Sequence, residues 1–159
     1  MTENRDSTTD HARVAFHPPI LLIGAIAAGF VLRAVWSLTF ISPGTAAVAG
    51  PALTIAALGV FTWSVLTMRR GGASVPTHTP TDALVFSGPY QFSRNPIYIS
   101  MLGLMVAIAI WSNSLWFIVL AVAMVPLLDR GVIAREERYL EHKFGEAYLA
   151  YKQRVRRWL

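Results

Sequence analysis

The chain has 159 residues, of which 54% are apolar and only 14% are charged, against about 25% charged in an ordinary soluble domain. It contains no cysteine, which excludes disulfides and thiolate metal sites, and its four histidines show no spacing typical of a metal site. The net charge of +5 is better explained by a surplus of Lys and Arg on the cytoplasmic side of a membrane than by a nucleic-acid-binding surface.

Two uncharged stretches, Ala34 to Met68 and Asn95 to Leu128, indicate helices that cross a membrane, since apolar stretches of about 18 residues or more are candidate spans. In chain order the sequence predicts a polar tail and four spans, at residues 1–17, 18–41, 46–68, 96–111 and 115–128. The first two spans form a predicted hairpin over residues 18–68. The last two hold roughly 14 to 16 apolar residues each. Such short spans predict either a hairpin in a locally thinned bilayer or helices that continue into the polar segments. Pro126 is expected to bend the end of the fourth span.

The distribution of charge along the chain predicts its orientation. The turns after the first and third spans, residues 42–45 and 112–114, carry no charge, whereas the amino-terminal tail and both other connections carry arginines. The positive-inside rule therefore places both termini and the 69–95 connection in the cytoplasm, in a bacterial-type inner membrane.

The first span contains two features that predict contacts within the membrane. Arg33 is costly in hydrocarbon, so it should face other helices, water or a headgroup. Ala25 and Gly29 form a pair of small residues four positions apart, which allows another helix to approach closely.

A charged, amphipathic helix is predicted from Ala134 onward. Its apolar residues recur at spacings of three or four, namely Leu140, Phe144, Tyr148, Tyr151, Val155 and Trp158. Gly145 is expected to weaken or bend this helix. Basic residues interleave with the last apolar ones, at Lys152, Arg154, Arg156 and Arg157. They predict binding to anionic headgroups, with about 1 kcal/mol from each. The predicted fold is therefore an all-α integral membrane protein with about four transmembrane helices and a C-terminal amphipathic cytoplasmic helix.

Two polar clusters, at residues 87–98 and 135–138, flank the short hairpin. Because an antiparallel hairpin brings its ends together, Arg94 and Asn95 are predicted neighbours of Glu136 and Glu137. Each residue taken singly also has a structural explanation. Asn95 followed by proline is a common helix start, and adjacent acids at the start of a helix suit its dipole.

The spacing of these residues resembles one family of membrane methyltransferases, which includes the isoprenylcysteine carboxyl methyltransferases and the phospholipid N-methyltransferases. The matching residues are Gly88-Pro89-Tyr90, Arg94-Asn95-Pro96-Ile97-Tyr98, Glu136-Glu137, Leu140, Phe144-Gly145, Tyr148, Tyr151 and Arg154-Val155. The resemblance covers about residues 84–159, and the first two spans carry no matching motif. It implies an S-adenosyl-L-methionine-dependent enzyme with a helical site in the region 69–159, acting on a lipid or lipophilic acceptor. In agreement, no glycine-rich dinucleotide motif follows a predicted strand.

Carried over by position, the resemblance implies a set of site residues. The cofactor-binding residues are Gly88, Tyr90, Asn95, Pro96, Tyr98 and Glu136. The catalytic candidates are Arg94, as a partner for the cofactor carboxylate, and Glu137, as the nearest base for an ammonium acceptor.

Two departures from the family pattern bear on the acceptor. Many members have His where Asn95 stands, so we expect hydrogen bonding rather than proton transfer from this side chain. The carboxyl methyltransferases also tend to have Arg four residues before the first Glu, where this chain has Val132. Arg130 or Arg135 would have to take the place of that missing Arg. Its absence weighs against a prenylcysteine-like carboxylate as the methyl acceptor and leaves a phospholipid amine as the other candidate acceptor.

Two alternative functions remain open from the sequence. Sterol-reductase-like membrane proteins look similar around an Asn-Pro-x-Tyr hairpin and use NADPH, although they are larger. A non-enzymatic membrane scaffold, with a basic tail docked on lipids, is the other. Neither a metal nor a nucleic acid is expected as a partner.

Overall fold

A computed structural model describes residues 17–73 and 83–159, and within these ranges all regular structure is helical. The helices are α1 (Pro18–Val35), α2 (Pro43–Arg70), α3 (Pro96–Trp111), α4 (Trp116–Leu128), α5 (Ala134–Phe144) and α6 (Glu146–Arg154). The predicted all-α fold is confirmed. Of the predicted tail 1–17 only His17 is described, and residues 74–82 of the long connection also lie outside the described ranges.

Three helices are long and apolar enough to cross a membrane: α1, α2 and the continuous helix 116–144 that joins α4 to α5. α3 is apolar but has only 16 residues, a length of about 24 Å against a hydrocarbon thickness of about 30 Å. α3 begins and ends at the predicted residues. For α4 the sequence left two possibilities, a short hairpin helix in a thinned bilayer or a helix that continues into the polar segment. The structure shows the second, because the helix of α4 continues into the charged segment.

α3 lies at the centre of the bundle, packed between α2 and α4, and α4 also packs against α1. The core between them is built from residues such as Met101, Met105, Met124 and Phe117. α1 comes closest to α4 at Gly29, where an added Cβ would lie 2.5 Å from the Phe117 ring. The close approach predicted from the small residues of the first span is therefore confirmed.

Hydrogen bonds close one end of the bundle. α1 ends at Val35 and not at the predicted residue 41, so residues 36–42 connect it to α2. The Asn113 side chain accepts from the backbone N–H groups of Phe40 and Ile41 in this connection at 3.0 and 3.1 Å. Its amide nitrogen also donates to the Ile41 carbonyl at 2.8 Å. One side chain therefore satisfies three backbone groups of the connection, which fixes it to the turn after α3.

Arg33 lies in the last turn of α1, at the same end of the bundle. Its Nε donates to the Ser112 carbonyl at 3.0 Å, one of the carbonyls left unpaired where α3 ends. Of the three surroundings predicted for Arg33, namely other helices, water or a headgroup, the structure shows a contact with another helix, since Arg33 caps the end of α3.

The helix that contains α4 and α5 passes through a π-helical turn at Asp129–Ile133. Pro126, which lacks an N–H, lies in the last turn of α4 just before it. A π turn inserts one extra residue into a helix and so rotates everything that follows it. The rotation sets which face of α5 points back towards the bundle.

The amphipathic C-terminal segment is helical as predicted, and it is divided in two at Gly145, where the sequence predicted a weakened or bent helix. Gly145 has a φ of +53°, a conformation that favours glycine, and it separates α5 from α6. The helix also ends earlier than the apolar stripe predicted, at Arg154, because Val155 adopts an extended conformation. Residues 155–159 leave the helix and return to the bundle.

Replacing Gly29 with alanine is expected to lower the free energy of unfolding by about 1–3 kcal/mol, the usual cost of overpacking, because the methyl group meets the Phe117 ring. Gly24→Ala on the same helix is the matched control, since a Cβ there has no atom within 4 Å. Thermal unfolding of the two purified variants in detergent measures the difference. Equal unfolding temperatures would contradict the close approach of α1 to α4.

Candidate functional site

The end of the bundle opposite the uncharged turns is built from several segments. A 3₁₀ turn at Gly88–Gln91, the start of α3, the π turn, α5 and the returning tail all contribute side chains to it. These segments bring together polar residues that are far apart in the sequence. Every residue that the sequence predicted for the site lies on one of them or in the short loop 92–95 that leads into α3.

The predicted neighbours across the short hairpin are in contact. The Tyr98 hydroxyl donates to the Glu136 carboxylate, lying 2.9 and 3.0 Å from its two oxygens. Arg94 Nη1 lies 3.1 Å from Glu137 Oε1, with only 9% and 6% of the two side chains exposed. The proximity inferred from topology is confirmed. The helix dipole does not account for the acidic pair, because α5 continues from the π turn and has no free amino-terminal end.

The two adjacent carboxylates have different partners. Glu137 pairs with two guanidinium groups, those of Arg94 and Arg157. Glu136 accepts its hydrogen bonds from the neutral Tyr98 hydroxyl. A buried carboxylate is stable only when it is paired or hydrogen-bonded. The ion pairs therefore occupy Glu137, whereas Glu136 has only a neutral partner and can still accept hydrogen bonds from a ligand.

Arg157 is the site residue that the sequence interpretation missed, since it assigned this residue to lipid headgroups. Its Nη1 donates to Asp129 at 3.0 and 3.2 Å, and its Nε donates to Glu137 at 3.2 Å. The hydrogen bond to Glu137 is the main cause that raises the pKa of Arg157, so its charge is secure. The sequence feature that could have pointed to Arg157 is the balance of charge. Three acids lie at this end, at positions 129, 136 and 137, and they need more than one cation.

Asn95 and Pro96 form the start of α3. Pro96 is buried at the first helical position, and Asn95 occupies the capping position but makes no side-chain capping bond. The Asn95 amide instead donates to the Arg157 carbonyl at 2.9 Å. The structure therefore gives Asn95 a contact with the tail; its predicted role in cofactor binding stays a prediction.

The 3₁₀ turn places Tyr90 against the site. Gly88 allows the turn because its φ is +59°, and a Cβ there would lie 3.0 Å from the Thr67 hydroxyl on α2. Tyr90 is only 7% exposed, and its carbonyl accepts from the Tyr151 hydroxyl at 2.7 Å. Burial, reinforced by Tyr151 and Glu136, raises the pKa of Tyr90 well above its ordinary value, so it remains a neutral donor.

Three buried donor atoms at this site have no hydrogen-bond partner among the described residues: the Tyr90 hydroxyl, Arg94 Nε and Arg94 Nη1, the last of which is in ion-pair contact with Glu137. A buried polar group without a partner costs about 1–3 kcal/mol, and such groups are rare in folded proteins. These atoms belong to two residues that the sequence singled out. Unpaired donors beside a carboxylate with only a neutral partner are the features expected of a site for a polar ligand.

Two tyrosines of α6, Tyr148 and Tyr151, surround Arg94. Burial raises the pKa of Tyr148, with Glu137 adding to the shift and Arg94 opposing it. Burial likewise raises the pKa of Tyr151 to about 12, again against the influence of Arg94. Both hydroxyls therefore stay protonated and can donate. The sequence assigned these residues to an apolar stripe, and the structure places them next to the site.

Fold and site together define a helical membrane protein with a polar, partly unsatisfied site at one end of its bundle. A family model described as phospholipid methyltransferase matches residues 45–147, and the chain belongs to this family. The predicted resemblance to a family of membrane methyltransferases is thereby confirmed. The match also reaches back through α2, where no motif was recognisable.

Two further comparisons add little about activity. An uncharacterised protein of Haemophilus influenzae is 48% identical over 65 residues, which is 40% of this chain and the whole of that protein. No solved structure matches the chain.

Replacing Tyr151 with phenylalanine is expected to lower the free energy of unfolding by about 1–3 kcal/mol, because the buried Tyr90 carbonyl loses its donor. Tyr90→Phe is the matched control, since its hydroxyl makes no hydrogen bond with the described residues and its removal should leave the protein's stability unchanged or raise it. Thermal unfolding in detergent compares the two variants. A Tyr90→Phe variant that is as unstable as Tyr151→Phe would show that the Tyr90 hydroxyl has a structural partner.

Proposed function

We propose that this protein transfers a methyl group from S-adenosyl-L-methionine to a lipid or lipophilic acceptor. Membership of the phospholipid methyltransferase family supports methyl transfer. The observation that carries the choice of cofactor is the Glu136 carboxylate, whose partner is a neutral hydroxyl. Beside it lie the unpaired donors of Tyr90 and Arg94.

The residues present fit the chemistry of this cofactor. S-adenosyl-L-methionine supplies a methyl group on a sulfonium cation and also carries an ammonium, a carboxylate and ribose hydroxyls. Glu136 can accept hydrogen bonds from the ammonium or ribose groups, and Arg94 can donate to the carboxylate. The Tyr90 hydroxyl is a further donor. Because Arg94 and Arg157 already pair with Glu137 and Asp129, Glu136 is the carboxylate of this cluster whose charged form a cationic ligand would stabilise.

Positioning is the main task of the protein in such a reaction. Transfer from a sulfonium is an in-line displacement, so holding donor and acceptor in line accounts for most of the rate enhancement. Glu137 is held by two arginines, which favours a role in orienting Arg94. Its use as a base for an ammonium acceptor requires that it release one of them.

An apolar groove supports a lipophilic acceptor. It lies between α1 and α4 and has a volume of about 610 Å³, within the range of about 300–1,000 Å³ usual for small-ligand sites. Its walls include Leu21, Ala25, Leu120 and Met124. The groove occupies the half of α4 that leads into the π turn, so a lipid chain lying in it places its headgroup towards the site.

The proposed orientation puts this end of the bundle in the cytoplasm, in a bacterial-type inner membrane. Arg69 and Arg70 end α2 on the same side, in agreement with the positive-inside rule. The exposed Arg154 and Arg156 of the tail are available to anionic lipids. Arg157 is engaged in the site.

Calorimetric titration of S-adenosylhomocysteine into the purified protein in detergent tests the cofactor. The wild-type chain is expected to bind, and Glu136→Gln to bind at least about tenfold more weakly, since one charge-assisted hydrogen bond contributes about 1.5–3 kcal/mol. Glu141→Gln, on the same helix but paired with the surface Lys152, is the matched control. Absence of binding at millimolar ligand in a folded sample would refute the proposal, and binding of NADPH instead would favour the reductase alternative.

Labelled S-adenosyl-L-methionine added to membranes that contain the protein identifies the acceptor class. Label is expected in the lipid extract, and at cofactor concentrations well below saturation Glu136→Gln should reduce it about tenfold, because the cofactor is bound more weakly. Mild alkali then separates the two candidate acceptors, because a methyl ester releases methanol whereas an N-methyl group is retained. Label that stays entirely in the aqueous phase would exclude a lipophilic acceptor.

A further inference from the structure

The tail after α6 does not trail away from the bundle but is hydrogen-bonded to the segment just before α3. The Arg94 N–H donates to the Arg156 carbonyl at 3.0 Å. The Ser93 hydroxyl and the Asn95 amide both donate to the Arg157 carbonyl, at 3.2 and 2.9 Å. The backbone that carries Arg94 is therefore held by the tail on both sides.

The side chain of Arg157 joins two further segments. It donates to Asp129 in the π turn and to Glu137 on α5. The indole N–H of Trp158 reaches the same Asp129 carboxylate at 3.3 Å, and its ring packs against the core. Arg157 thus contacts the π turn and α5 through its guanidinium and the segment before α3 through its carbonyl. The planar fork of Arg suits this bridging, whereas the single ammonium of Lys does not.

The two neighbouring arginines of the tail have different surroundings. The Arg156 side chain is exposed. The Arg157 side chain is about one-third exposed and is engaged by two carboxylates. A tail that served only to attract anionic lipids would use both arginines alike, so the contrast points to a separate task for Arg157.

We propose that Arg157 is a positioning residue for the candidate site. It holds Glu137, and Glu137 in turn holds the Arg94 guanidinium with its unpaired Nε available to a ligand. This inference rests on the proposed function, in which Arg94 binds the cofactor carboxylate. Arg157 itself touches no ligand in this scheme and acts through Glu137.

Hydrogen exchange tests the positioning without any cofactor. In Arg157→Gln the backbone amides of residues 93–95 are expected to exchange at least about tenfold faster. In Arg156→Gln, which removes the same charge from the next position, the exchange should stay within about twofold of the wild type. Equal exchange in the two variants would overturn the proposal, whether or not the wild-type protein binds S-adenosylhomocysteine.

Affinity for S-adenosylhomocysteine tests whether Arg157 acts through Glu137. Arg157→Gln is expected to weaken binding about tenfold, Arg157→Lys by less, and Arg156→Gln within twofold. If Glu137 transmits the effect, the double variant Arg157→Gln with Glu137→Gln binds no more weakly than Glu137→Gln alone. The proposal would be overturned if the losses of affinity in the two single variants multiplied in the double variant. It would also be overturned if Arg157→Gln bound with wild-type affinity. A wild-type protein that fails to bind would refute the proposed function, and the exchange result would still decide whether the tail orders residues 93–95.

Discussion

A carboxylate removed from water must be paired, and the requirement is met twice at Glu137, by Arg94 and by Arg157. Each arginine comes from a different part of the chain, one from the loop before α3 and one from the tail after α6. The ion pairs therefore tie both segments to α5, and none of the three has its observed position without the other two. The same pairing leaves Glu136, one position earlier, with a neutral hydroxyl as its partner. The two adjacent carboxylates therefore differ in the charge of their partners, and this difference gives the site its polarity.

The shortness of α3 brings this polar end directly against the apolar core. Tyr98, in the first turn of the helix, both belongs to the core cluster and donates to Glu136. One turn further on, Met101 is buried among apolar side chains. A ligand at Glu136 is therefore only a helical turn from the hydrophobic interior. This geometry suits a site that brings a water-soluble donor and a lipophilic acceptor together.

Much of the fold could be predicted because it depends on local rules. Uncharged stretches identified the helices, the proline at position 96 fixed the start of α3, and the hairpin brought Arg94 next to Glu137. The direction of the chain after α5 could not be predicted in this way. It depends on the positive φ of Gly145, which apolar periodicity does not reveal. Nor does periodicity show that α1 packs against α4 while α2 packs against α3.

Arg157 shows why part of the candidate site escaped sequence interpretation. Its side-chain partners lie 20 and 28 residues earlier, at Glu137 and Asp129, and its neighbour Arg156 has the same charge. Sequence alone supplies no reason to treat the two arginines differently. Only the return of the tail to the bundle distinguishes them, and that return depends on a backbone conformation at one glycine and an extended residue after α6.

The contacts of the tail also set the order in which the protein matures. The side chains of Ser93 and Asn95 donate to a carbonyl 64 and 62 residues further on, so these two hydrogen bonds cannot form until residue 157 has left the ribosome. The four apolar helices emerge earlier and can enter the bilayer and pack through their core alone. Membrane insertion and completion of the polar end are thus separate events in biogenesis. A nascent chain arrested between them is an inserted bundle in which residues 93–95 still lack their contacts with the tail.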